Sequence, residues 1–181
     1  MKKTAIFCLI MTSFISILHA SNLKPGDQFP AFTARALDDS LVAVPNSVTP
    51  SVTLISLAFS RKDVAVTEAW TDTFTARYKT TSGVGYIQTA VIPEMPFISG
   101  VIANALKGSI AKERWGSFLI YSGDKDAFVK TFSADDQALF YIYLTGKDGK
   151  ILKSIKTAAL TKEYMDEIFV AIDKEIKNSR P

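Results

Sequence analysis

The chemistry open to this chain is limited by two residue types that each occur once. The single cysteine is Cys8 and the single histidine is His19, both in the N-terminal stretch. Carboxylates, lysines, arginines, tyrosines and hydroxyls make up the rest of the reactive inventory. A few positions stand out by their setting. Arg61 and Lys62 follow an apolar run and precede a helical pattern. A helix start offers free backbone amides to an anion, which two basic side chains would reinforce; the alternative is a pair of solvated loop charges. Glu94, in Pro93-Glu94-Met95-Pro96, falls between a strand and a helix. Ligands of open α/β sheets bind at that edge, though a turn or cap role fits equally. Trp70 heads an aromatic stripe that could face a partner or the core. Arg114, with Lys107 and Lys112, charges one end of an apolar stretch, and Tyr121 closes a short strand.

Much depends on the first twenty residues. Met1-Lys2-Lys3 is a positive start, residues 5–18 are mostly apolar, and Leu18-His19-Ala20 offers a small residue before Ser21. That is the pattern of a secretory signal peptide, predicted over residues 1–20 with cleavage after Ala20. The apolar run falls short of the roughly 20 residues a membrane-spanning helix needs. Ser21 stands where a lipoprotein signal would carry its cysteine. The expected product is an exported domain of residues 21–181, periplasmic or secreted, with neither cysteine nor histidine. Such a domain forms no disulfide, has no Cys or His ligand for zinc, copper or haem, and cannot build a Ser-His-Asp or Cys-His centre. No cofactor and no metal are expected. Without Lys2 and Lys3 the excess of basic over acidic residues falls to about one, and no Arg-rich stripe marks a nucleic-acid surface.

The elements that must position these residues follow from periodicity. Phe32, Ala34 and Ala36 alternate with Thr33 and Arg35, Asp38-Asp39-Ser40 signals a turn, and Leu41 to Val44 returns, predicting an N-terminal β-hairpin. Val52 to Phe59 is apolar almost throughout, as in a strand covered on both faces. Val66, Trp70, Phe74 and Tyr78, with Ala69, then mark one helix face. Tyr86 to Ile92 is a second core strand, Ile98 to Trp115 an inserted amphipathic helix, and Phe118 to Tyr121 a short strand. Lys125 to Phe132 reads as a short helix and Ala138 to Leu144 as a third core strand. Asp148-Gly149 predicts a type I′ hairpin turn leading to Ile151–Ile155. Thr161 caps a last helix with Met165, Ile168, Phe169, Ile172 and Ile176 inward. Strands alternating with helices imply an α/β sandwich: a central mixed sheet flanked by helices.

This order, opened by Lys24-Pro25-Gly26-Asp27-Gln28-Phe29-Pro30-Ala31-Phe32-Thr33 and closed by the hairpin from Phe140 to Ile151, resembles the thioredoxin-like superfamily in its peroxiredoxin and thiol-reductase branch. The resemblance covers nearly all of residues 21–181. It implies a reactive cysteine just after the first core strand, yet residues 60–67 read Ser-Arg-Lys-Asp-Val-Ala-Val-Thr, so thiol chemistry does not carry over. Leu54 to Arg61 followed by Glu68-Ala69-Trp70, the run Val91 to Pro96, and Tyr141 to Ile151 are also similar to the mitochondrial ATP synthase assembly-factor family. Its members share the peroxiredoxin fold without being peroxidases and act as assembly chaperones. A secretory signal departs from that family's location.

The resulting expectation is a non-catalytic thioredoxin-like domain that binds another protein, which could be membrane-associated, as an assembly or folding factor, with Arg61, Lys62, Trp70, Glu94 and Arg114 as candidate binding residues. The alternative is a small-molecule binder or thiol-independent enzyme centred on the Arg61 loop, Glu94 and Tyr121. The helix from Ile98 to Trp115 could dock on an apolar partner or a membrane, or simply pack on its own sheet.

Overall fold

A computed structural model describes residues 23–47, 50–95 and 98–178, with the side chains of 61–65 and 98 outside that description. The predicted signal peptide lies outside the described residues. Seven strands form one mixed sheet in the order β2-β1-β5-β4-β3-β6-β7. In chain order they are β1 (Phe32–Ala36), β2 (Leu41–Val44), β3 (Val52–Ala58), β4 (Val84–Pro93), β5 (Phe118–Gly123), β6 (Phe140–Gly146) and β7 (Ile151–Thr157). Helices α1 (Arg61–Tyr78), α2 (Ile98–Lys107), α3 (Lys125–Thr131) and α4 (Lys162–Asn178) connect or follow them. β3, β4 and β5 run parallel, while β1, β2, β6 and β7 pair antiparallel. This is the expected mixed α/β sandwich, with the hairpin β1–β2 at one edge.

Every residue of β3 is buried, because the strand lies between β4 and β6 and is covered above and below. Leu54 faces one side with Ile142 and Leu144, where Trp70, Phe74 and Tyr78 of α1 meet Met165, Ile168, Phe169 and Ile172 of α4. Ile55 and Leu57 face the other side, against an aromatic layer of Phe29, Phe32, Phe128 and Phe132. Phe128 and Phe132 stack with ring centroids 4.4 Å apart. The segment before β1 is tied to the β6–β7 hairpin: Gly26 donates to the Ile151 carbonyl at 2.8 Å and Ile151 to that of Asp27 at 2.9 Å. Arg77, Tyr78 and Asp173 join the ends of α1 and α4. The Arg77 guanidinium reaches Asp173 Oδ2 at 2.9 Å, and the Tyr78 hydroxyl donates to Asp173 Oδ1 at 2.9 Å.

Three expectations are corrected in detail. First, the α1 stripe is not Val66-Trp70-Phe74-Tyr78 with Ala69. Val66 is 40% exposed and Ala69 is exposed, while Thr67 and Thr71 are buried at 2% and 1%. A strict four-residue repeat drifts by about 40° per step on a helix of 3.6 residues per turn, so Val66 rotates out and Thr67 rotates in. Second, the helix expected from Ile98 to Trp115 ends at Lys107. Gly108 follows, Ala111 is extended, and a separate 3-10 helix covers Lys112–Ser117. Glycine weakens the helix, and Ile110 turns inward against Leu37, Phe118 and Ile120. The two pieces stay joined by the Trp115 indole N–H, which donates to the Ile110 carbonyl at 3.0 Å.

Third, the β6–β7 turn is not type I′. Gly149 has φ +74° but Asp148 does not have positive φ, and the Gly149 N–H bonds the Gly146 carbonyl at 2.9 Å. Lys147 and Asp148 are therefore the central residues of the turn, and Gly149 is the left-handed bulge residue after it. A Cβ at Gly149 would lie 2.5 Å from Gln28 Nε2, which itself donates to the Asp148 carbonyl at 3.1 Å. Gly149→Ala should lower unfolding stability by about 1–2 kcal/mol, read from urea midpoints at unchanged slope, with Gly149→Asn losing less. Equal stability of all three chains would refute this turn geometry.

Candidate functional site

The C-terminal ends of β3 and β4 meet α1 and α2 around a cavity of about 570 Å³. Ala58 and Phe59 form its floor with Ala90 and Ile92, and Val101, Ile102, Ala105 and Leu106 of α2 form one wall. Glu68 of α1 is the one charged side chain among its described lining residues. The space exists because α2 stands off the sheet: none of its described residues is buried, and Val101 is 68% exposed. Its outward residues, Gly100, Val101, Asn104 and Ala105, carry no charge. Ala103 and Leu106 pack partly buried against the cluster around Ile110, and at the end of the helix Lys107 reaches Asp39 at 3.0 Å and lies over the Trp115 ring at 5.3 Å.

Beside the cavity, a polar seam runs beneath α1. The Tyr86 hydroxyl donates to Gln88 Oε1 at 2.7 Å, Gln88 Nε2 donates to Thr67 Oγ1, and Thr71 Oγ1 bonds the Tyr86 hydroxyl. Thr71 Oγ1 also lies 2.7 Å from the Thr67 carbonyl. Gln88 is fully buried, so these bonds replace the water it loses, which a buried amide requires. Arg114 of the 3-10 helix approaches the seam from the side and pairs with Asp72 at 3.3 Å. Its Nη2 and Ser56 Oγ are buried without a hydrogen-bond partner among the described residues. Burial drives the Tyr86 hydroxyl up to about 12, against the milder opposing pull of the Thr71 hydrogen bond and the Arg114 charge. Burial likewise pushes Tyr78 up to about 12.

The expected site residues are dispersed. Arg61 and Lys62 open α1 in the backbone, and their side chains lie outside the described residues. Trp70 is a core residue, 7% exposed and packed with the α1–α4 cluster, so it offers no outer surface. Glu94 is exposed just past β4. Its charge is felt by Tyr121, whose hydroxyl is pushed up first by burial and then by Asp124 and Glu94. Tyr121 packs on Phe32 and Phe128 beneath the sheet, on the face opposite Arg114. Arg114 and Tyr121 thus lie on opposite faces of the sheet, while Glu94 and Tyr121 share one end of it. Among the described residues no group of three or more His, Cys, Asp or Glu side chains could hold a metal ion. Sequence reasoning missed Glu68, Thr67, Thr71 and Gln88. A glutamine inside the apolar run Tyr86 to Ile92 was the available signal, since it needs buried partners, and Thr67 and the Tyr86 hydroxyl supply them.

No protein-family model matches the chain, and no curated protein matches it in sequence. Solved structures do. A chain from Chlorobium tepidum assigned as the thiol:disulfide interchange protein DsbE is 16% identical, with a TM-score of 0.61 over 85% of this chain and 99% of that one. BsSco, of the Sco family of cytochrome c oxidase assembly proteins, is 18% identical, with a TM-score of 0.59 over 87% and 99%. A thiol peroxidase from Chromobacterium violaceum is 14% identical, with a TM-score of 0.56 over 85% and 88%. The chain has the thioredoxin-like fold.

The raised tyrosines give a pH dependence with a definite sign. An unfolded chain releases these protons near pH 10, while the folded chain keeps them until about 12. Stability is intact below pH 10 and falls as pH rises from 10 toward 12. Absorbance of tyrosinate should therefore rise in two stages, the second coinciding with loss of structure by circular dichroism. Tyr86→Phe should flatten the alkaline decline. A single transition near pH 10 with structure retained would contradict the burial of these hydroxyls.

Proposed function

We propose that this chain is an exported, thioredoxin-like domain that works without a thiol and holds an apolar segment of another protein, as an assembly or folding factor. The observation that carries this reading is the cavity between α1 and α2. Its volume of about 570 Å³ lies within the range of ligand sites. It opens at the strand ends where sheets of this class bind ligands, and its described lining residues are aliphatic apart from Phe59, two serines and Glu68. Residues 59–67, where the first core strand passes into α1, contain no cysteine, so contact rather than thiol exchange is what this site offers. The uncharged outer side of α2 extends the same surface, with Val101 as its most prominent apolar residue. The likeness to the assembly-factor family in Leu54 to Trp70 and Tyr141 to Ile151, and the signal-like N-terminus, favour a protein client outside the cytoplasm. No described helix is long and apolar enough to cross a membrane.

A photo-crosslinking amino acid at Val101 tests this, with Val170 of α4, equally exposed at 69%, as control. Position 101 should give one dominant protein adduct in the producing cell, position 170 none, and filling the cavity with Ala105→Trp should abolish it. Equal labelling from both positions, or an adduct indifferent to Ala105→Trp, would overturn the reading.

A further inference from the structure

We infer that the segment held between α1 and α2 is an apolar peptide carrying one basic side chain, and that Glu68 receives it. This rests on the reading above and adds a recognition rule to it. Glu68 is half-buried on the wall of the cavity, and no hydrogen bond or ion pair engages it among the described residues. The neighbouring charges are already matched. Asp72, one turn further along α1, pairs with Arg114, and Lys107 at the end of α2 pairs with Asp39. Among the described residues Glu68 is thus left uncompensated beside Ala105, Leu106 and Ile92.

A carboxylate in that position selects its ligand. While the cavity is open, water solvates it. An occupant that covers it with apolar groups removes that water and leaves a buried unpaired charge, which is strongly disfavoured. An occupant that brings an ammonium or guanidinium replaces the water with a charge-assisted hydrogen bond in a low-dielectric setting. A second carboxylate would add repulsion. The aliphatic wall sets affinity and Glu68 sets the register along the segment. An anionic membrane surface fits poorly, because binding there needs lysines or arginines on the helix that lies in it. The outward side of α2 has none, and Lys107 is engaged.

The test uses three fluorescent peptides of one length and one Leu/Val/Ala background, differing only in a central Lys, Gln or Glu, titrated against the purified protein by anisotropy. The Lys peptide should bind about tenfold tighter than the Gln peptide, a ratio of one charge-assisted contact, and the Glu peptide weakest. Glu68→Gln should erase the order and Glu68→Lys should reverse it. Added salt should weaken the Lys peptide alone. The wild-type comparison stands even if a variant fails to fold. Equal binding of all three peptides, still blocked by Ala105→Trp, would overturn the role of Glu68 and leave the cavity reading intact. Absence of binding to any peptide would overturn both. Binding to vesicles of anionic phospholipid in preference to the Lys peptide would overturn the proposal in favour of a membrane surface.

Discussion

Burial of β3 on both faces and along both edges is the constraint from which the rest of the molecule follows. A strand in that position can leave no backbone N–H or C=O without a partner, so its backbone is committed to β4 and β6 and its side chains to two separate layers. One layer is built by α1 and α4, the other by α3 and the aromatic residues that precede and begin β1. A large side chain such as Phe74 is therefore fixed between the sheet and both helices of its layer. The clamp of Arg77 and Tyr78 on Asp173 secures the far end of the α1–α4 pair.

Within that packing, the polar seam decides how α1 is rotated. An all-apolar interface would tolerate several rotations of a helix over a sheet, as hydrophobic contact is not directional. Gln88 removes that freedom. Its amide is fully buried, and only a rotation that brings Thr67 and Thr71 inward satisfies it together with the Tyr86 hydroxyl. The same rotation turns Val66 outward and places Glu68 on the cavity wall. The exposure of Glu68 to the cavity and the packing of the core are therefore consequences of one helical phase.

The loose seating of α2 belongs to the same account. The crossover from β4 to β5 has to cover the sheet beside α1, and its one buried residue in the cluster there is Ile110, between α2 and the 3-10 helix, with Ala103, Leu106 and Trp115 only partly buried around it. Gly108 separates the two helical parts. With no fully buried residue of its own, α2 encloses a volume it does not fill. A scaffold shared with thiol-disulfide proteins has here an aliphatic recess next to a strand-to-helix junction without a thiol.

The chain's own residues specified the layered α/β order, the edge hairpin, the apolar run of β3 and the inward face of α4, because each depends on local periodicity or on a turn residue. Binary patterning also exposed the absence of cysteine near α1. Tertiary structure alone decided the phase of α1, since a four-residue repeat of large residues is ambiguous by a fraction of a turn until a buried partner such as Gln88 selects one alignment. It also decided that the stretch Ile98 to Trp115 is two elements, and that Trp70 is core while Glu68 is not. The candidate site was illegible for the same reason. A cavity is the space between Ala58, Ala90, Glu68 and Ala105, residues far apart in the chain, and no local pattern encodes how far one helix stands from another.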